Sequence, residues 1–310
     1  MSSFYRDLKK AELHLHLEGS LEASTIHEMH PNISKEEVAA KYAEKGFSAF
    51  LESYKWVSVL LETPDHYALA TRRLLGQLQT ENVEYVELTL SVGVILWKQQ
   101  DVAAIFDAVN KEARNSAIPC FWIFDFIRHF DLDHAMRVAE LAAERARDGV
   151  VGFGCGGDEA RGSALTFVPA FQLAQRAGLR LAPHAGETSN AQSVWDVLEV
   201  GADRIGHGIR AVEDPALLRR LRQDGIPLEV CISSNVATGA VEHLLCHPLR
   251  RIADAGVSVI LNTDDPAMFG TTLSEEYERA EQLGFSRDEL RLLAETSFQF
   301  GFNKQVGSPQ

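Results

Sequence analysis

Long apolar runs are missing from this sequence. No stretch of 18 consecutive apolar side chains occurs in its 310 residues, and the opening MSSFYRDLKKAELHLHL has no apolar segment of signal-peptide type. Both absences speak against membrane spanning and against secretion by a standard signal peptide. Cysteine is scarce as well. Cys120, Cys155, Cys231 and Cys246 form no CxxC pair and no secreted-type framework, so reduced thiols in a cytoplasmic setting are expected. Basic residues are outnumbered, 30 against 44 acidic ones, and the formal charge of −14 argues against nucleic acid as a partner. Low-complexity tracts, Pro/Ser-rich linkers and repeats of fixed period are absent too.

What remains is a globular composition, 45% hydrophobic and 24% charged. Short apolar runs recur at 11–17, 83–90, 119–127, 149–155, 180–184, 203–207, 227–232 and 256–262. Segments of helical spacing separate most of them, at 101–117, 131–148, 189–201, 212–224 and 241–255, and Gly149, Gly178, Gly201, Gly225 and Gly256 stand where helices should stop. Eight such alternations predict an α/β chain folded as a (β/α)8 TIM barrel, with an open doubly wound sheet as the competitor. Residues 18–82 exceed one crossover helix and predict an inserted helical cap, with helices near 35–45, 48–61 and 64–81. Residues 272–301 predict two closing helices, and the whole of 1–310 reads as a single barrel domain. Phe47, Phe50, Leu51, Tyr54 and Trp56 of the cap suit either plain packing or a lid over a ligand.

Polar residues gather where a barrel carries function, at the C-terminal strand ends. Those ends read His14-Leu-His16, Gly156-Gly157-Asp158-Glu159, His184-Ala-Gly-Glu187, Gly206-His207-Gly208, Ser233-Ser234-Asn235 and Asp264-Asp265. Strand side chains alternate faces, so His14 and His16 point together into the barrel, the spacing of a metal pair. Four histidines and two adjacent aspartates at one barrel end predict a metal site. Nitrogen donors with a carboxylate suit zinc best, with Fe(II), Co(II) or Mn(II) as alternatives.

The runs HLHLEGS, GGDE, HAGE, GHG and NTDDPAMFGTTL, in that order, resemble the adenosine deaminase family over about residues 10 to 300. The resemblance implies a barrel of the amidohydrolase superfamily with one zinc ion and hydrolytic deamination of a 6-aminopurine, a nucleoside or a free base. It implies His14, His16, His184 and Asp264 as ligands and Glu187 as proton donor to purine N1. His207 would orient and help deprotonate the water, Asp265 would hold N7 and the Gly157 backbone would meet N3. Glu18 stands where adenosine deaminases carry aspartate, near the ribose end. The runs SSNVATG and FGTTLSEEY look more like enzymes acting on 6-amino-6-deoxyfutalosine, which places that substrate ahead of adenosine, with adenine third.

The chemistry of the residues is consistent with these roles, because attack at C6 requires an acid at N1, and Glu187 lies three residues beyond His184. Plainer readings exist for each: a capping turn for Asp264-Asp265, a solvated loop acid for Glu187, a structural imidazole for His207 and a tight turn for Gly156-Gly157. Arg161 and Arg210 are candidate cations for a carboxylate-bearing substituent, and Arg128 reads as a salt-bridge partner at the barrel mouth. His243 and His247 fall at i, i+4 on an expected helix, while His27, His30, His66, His129 and His134 read as surface or packing residues. Two alternatives fit the residues less well. A binuclear hydrolase would need a lysine or carboxylate ending strand four or five, and strand four ends Gly154-Cys-Gly-Gly157. An inactive ligand-binding relative would have little reason to keep the ligands together with Glu187 and His207. The cytidine-type deaminase pattern is absent, since Pro119-Cys120 runs into Phe-Trp-Ile.

Overall fold

The computed structural model describes residues 3–303. Its strands are β1 (Lys10–His16), β2 (Val83–Leu90), β3 (Cys120–Ile127), β4 (Val150–Gly156), β5 (Arg180–Leu181), β6 (His184–Ala185), β7 (Ile205–His207), β8 (Leu228–Val230) and β9 (Val259–Leu261). All pairings are parallel, in the orders β1-β2-β3-β4-β5 and β6-β7-β8-β9. The fifth stave of the barrel is split in two at Ala182-Pro183, where proline has no N–H to give to a ladder. Backbone bonds from Ala182 N to Phe153 O and from Gly206 N to Pro183 O carry the sheet across that break. Closure comes from a parallel bridge between Leu15 and Asp264. There Asp264 N donates to His14 O at 3.1 Å and His16 N to Asp264 O at 2.8 Å. The eight expected staves are thus present in a closed (β/α)8 barrel.

Helices Val102–Asn115, Leu132–Glu144, Ala191–Glu199 and Pro215–Asp224 fall inside the predicted segments, capped by Asp101, Asp131, Asn190 and Asp214. The five helix-stop glycines all have positive φ, from 67° at Gly225 to 110° at Gly149. The expected helix 241–255 is corrected. It shrinks to Leu249–Asp254 because Pro248 admits a helix only after itself, and His243 and His247 are not on it. Between β1 and β2 lie helices Ala23–Met29, Lys35–Tyr42, Phe47–Leu60 and Pro64–Thr80, the first of which the periodicity did not show. Helices Leu273–Gln282 and Arg287–Ser297 form the predicted closing pair, each opened by a capping box. The segment behind them plugs the barrel floor, where Phe298 and Phe300 pack against Ala11, Leu13, Tyr85 and Ile260.

Above that floor sits a polar layer. Arg204 is 1% exposed and pairs with Glu87 at 2.6 Å and with Glu229, while its guanidinium stacks on Phe302 at 3.5 Å. The layer matters because Glu229 passes its second oxygen upward to His14.

Candidate active site

His14, His16, His184 and Asp264 converge at the C-terminal mouth of the barrel, each offering one ligand atom within 4.8 Å of the others. Asp264 Oδ1 lies 3.4 Å from both His14 Nε2 and His16 Nε2, and His16 Nε2 lies 3.2 Å from His184 Nε2. Two nitrogen lone pairs facing each other at that distance want a cation between them. His14 Nε2 is buried with no hydrogen-bond partner, while Nδ1 is bound to Glu229 at 2.7 Å. A metal-ligating histidine shows this arrangement, one nitrogen held by a carboxylate and the other left for the ion.

The protonation states agree. Burial opposes charge on His14, but Asp264 and Glu229 raise its pKa to about 10. Burial lowers His16 to about 4, and His184 falls as well. Burial alone would raise Asp264, yet the His14 ring 3.4 Å away and the other surrounding imidazoles hold it well below the carboxylate range. Neutral imidazoles at His16 and His184, an ionised Asp264 and a His14 ring whose surroundings favour positive charge fit a metal ion at their centre.

The backbone is strained where function is expected. Asp264 and His207 have φ of 68° and 59°, a left-handed conformation uncommon for non-glycine residues. His207 Nε2 lies 3.6 Å from Glu187 Oε2 and 3.9 Å from Asp264 Oδ2. Its tautomer follows from a chain of bonds. Leu249 N–H donates to His247 Nδ1, so neutral His247 donates from Nε2 to Asn235 Oδ1 at 3.1 Å. The Asn235 amide nitrogen then donates to His207 Nδ1 at 3.1 Å, which leaves the His207 proton on Nε2, facing Glu187. Burial keeps both rings neutral, each lowered to about 4.

Glu187 is buried, and desolvation followed by the charges of Asp264 and Glu159 raises its pKa well above the usual value. Asp265 is raised by burial and by Asp264 beside it, and its Oδ1 has no partner. A Cβ at Gly19 would come 1.7 Å from that oxygen, so the EGS turn after β1 needs glycine for Asp265 to occupy its place. Gly157 has φ of 89°, and its backbone forms part of the wall. Glu18 is displaced from the expected contact. It accepts from Ser91 N and Tyr54 Oη, two residues that line the cavity, and is not itself on the surface.

The cavity above these groups measures about 530 Å3, within the range of small-molecule sites. Phe47, Phe50, Leu51 and Tyr54 of the cap line it, whereas Trp56 packs against the core. Arg161 lines it too, 3.7 Å from Asp158, but Arg210 does not: it pairs with Glu213 and donates to Ala240 O. Arg128 is also corrected. Among the described residues it makes no ion pair, donating instead to His184 O at 2.6 Å and Gly162 O at 3.2 Å. His129, read as a surface or packing residue, accepts from Asp158 N and lines the cavity.

Sequence reasoning missed Glu12, Glu87, Asp125 and Glu229, acids that build the site from below. Each is flanked on both sides by apolar strand residues, and Glu12 even shares the parity of His14 and His16, which was the available signal. Glu12 accepts from Thr263 N and Oγ1, fixing the residue before Asp264. Asp125 accepts from Ser91 Oγ at 2.9 Å on the cavity floor.

Compared with known proteins, residues 9–307 match a family model described as adenosine deaminase. An aminodeoxyfutalosine deaminase of Streptomyces avermitilis is 39% identical over 99% of this chain and 90% of its own. An adenine deaminase of Rhizobium leguminosarum is 38% identical over 95% of each chain. The crystal structure of an adenine deaminase from Arthrobacter aurescens superposes with a TM-score of 0.90 at 29% identity, covering 96% of this chain and 95% of that one.

Proposed function

The chain belongs to the adenosine deaminase family, and from that premise we propose that it hydrolyses the 6-amino group of a purine and releases ammonia. The observation that carries the reading is a buried Glu187, its pKa raised by burial and by Asp264, within 3.6 Å of His207 and beside three imidazoles and Asp264 that call for a cation. His14, His16, His184 and Asp264 hold one zinc ion, or Fe(II), Co(II) or Mn(II) in its place. The ion supplies Lewis acidity, which brings the ionisation of water toward neutral pH.

The chain's own residues do the rest. Glu187 gives its proton to N1 as C6 is attacked, which spares the ring a full negative charge. His207, with its proton on Nε2, orients the attacking water by donation; in this tautomer it holds no lone pair for deprotonation, and Asp264 Oδ2 is the acceptor at hand. Asp265, kept protonated by burial beside Asp264, donates to N7, and the Gly157 backbone meets N3. The cap helix Phe47–Leu60 forms part of the cavity wall, working with the barrel as one unit. No helix of the described residues is long and apolar enough to cross a membrane, in keeping with a cytoplasmic enzyme of small molecules.

For the substrate we favour 6-amino-6-deoxyfutalosine, an intermediate of menaquinone synthesis, over adenosine and adenine. The same cavity is lined by Phe47, Trp97, Lys55 and Arg161 as well, aromatic surface and charge that a free base has no group to use. Ammonia release from zinc-loaded protein, compared as kcat/KM across the three, tests both levels. A tenfold advantage for adenosine, about 1.4 kcal/mol of transition-state binding, would remove the futalosine reading alone. No ammonia from any of them would remove the deaminase reading. Elemental analysis should give about one metal per chain, and two equivalents would contradict the single-ion site.

A further inference from the structure

Glu187 stands on a turn, residues 186–190, between β6 and helix Ala191–Glu199, and this turn is held by a side chain from another part of the barrel. Glu159 lies beyond β4, is buried, and turns its carboxylate toward the backbone of the turn. One oxygen accepts from Gly186 N at 2.8 Å; the other accepts from Glu187 N at 2.8 Å, Thr188 N at 2.9 Å and Ser189 N at 3.4 Å. Successive N–H groups converging on one anion form a preorganised nest, here occupied by a residue of the same chain. Gly186 makes the geometry possible with φ of 62°, and a Cβ there would come 2.5 Å from Val194. Burial opposes the charge on Glu159, but the Ser193 hydroxyl, Arg128 and the N–H groups of the turn hold its pKa below the ordinary value. Arg128 in turn grips His184 O from the opposite side at 2.6 Å.

We propose that Glu159 is the positioning residue for Glu187: its carboxylate fixes the turn that aims the Glu187 carboxyl into the cavity. The fixing acts on the acid rather than on the metal donors, because His184 lies within β6 and is held by the sheet and by Arg128. Glu159→Gln keeps the shape of the side chain but sets an NH2 group against backbone donors, so the turn loses part of its anchor. The consequence for turnover rests on the deaminase reading above; the geometry does not.

Two measurements on full-length, zinc-loaded protein test it. Amide hydrogen exchange at residues 186–188 should quicken at least about tenfold in Glu159→Gln, reporting local opening of the turn. On the best wild-type substrate kcat should fall about 10- to 100-fold, with KM within about threefold and metal content unchanged, the pattern of a lost transition-state interaction. In a Glu187→Gln background the same substitution should cost less than about threefold, because its effect runs through the missing acid. Full additivity, unchanged exchange, or activity lost in step with metal would each overturn the proposal. Glu159→Asp, which keeps the charge but shortens its reach, should show the same pattern more weakly if the Gln variant does not fold; failure of both to fold would assign Glu159 a purely structural part. Wild-type protein that releases no ammonia would condemn the functional reading, while the exchange result would still decide the geometry.

Discussion

Glu187 and Asp264 are carboxyls of one buried cluster held in opposite states, and the difference lies in their neighbours. Asp264 looks at three imidazoles and stays ionised; Glu187 looks at Asp264 and Glu159 and stays protonated. Environments that push two acids apart in this way mark the division between a ligand and a general acid. Glu187→Gln should therefore keep its metal and lose about 10²- to 10⁴-fold in kcat, the usual range for general acid–base catalysis. The pH dependence has a definite sign. Only protonated Glu187 can donate, and its pKa is raised, so turnover should hold through neutral pH and fall as pH rises through that value. On the acid side burial keeps His207 neutral down to about 4, so its orienting part should persist to that pH. A pH–kcat profile with the acid limb above neutrality, or metal loss in Glu187→Gln, would reverse the assignment.

At the level of strands and helices, the mouth of the barrel was legible and the layer beneath it was not. HLH, HAGE, GHG and NTDDP could be read because their residues are adjacent in sequence and fall at strand ends. The supporting layer is made of solitary residues whose partners are remote: Arg204 and Glu87 are separated by 117 positions, His14 and Glu229 by 215. No local pattern reports such pairs. Helices Val92–Trp97 and Ile232–Ala237, six residues each, were too short for a 3.6-residue period to emerge, yet they carry Trp97 to the cavity and Asn235 to His207. The Arg204 layer ties β2 and β8 to the segment behind the last helix, since Arg204 also donates to Phe300 O at 2.8 Å. Arg204→Met would leave Glu87 and Glu229 facing each other without a cation in a dry interior. Breaking a buried pair from one side costs about 3–5 kcal/mol, so urea unfolding should show a loss of that order. A loss below about 1 kcal/mol, typical of surface pairs, would mean that water reaches the layer.

The whole molecule sets chemistry and selectivity at different depths. The barrel supplies His16, His184, Glu187 and Asp264 to the cavity, while the cap helix Phe47–Leu60 supplies Phe47, Phe50, Leu51, Tyr54 and Lys55 to its walls. The loop after β4 brings Asp158 and Arg161 to the same cavity, and exposed Trp97 lines it too, with Lys55 Nζ 5.9 Å from its ring centre. The mouth therefore offers an aromatic surface and two cations, partly offset by Glu52 and Asp158. A substrate ending in an aryl carboxylate matches that surface, and adenine does not extend to it. Because both cations are solvent-exposed, each contact is worth only about 0.2–1 kcal/mol. Replacing Lys55 and Arg161 together by alanine should then raise KM for aminodeoxyfutalosine about two- to thirtyfold, leave its kcat unchanged, and leave adenosine and adenine kinetics unaffected. Added salt should erase the difference between variant and wild type, since screening acts on exposed charges first. Equal losses for all three substrates would place the effect in the cap itself, and no change for the carboxylate-bearing one would show that its tail leaves the cavity by another route.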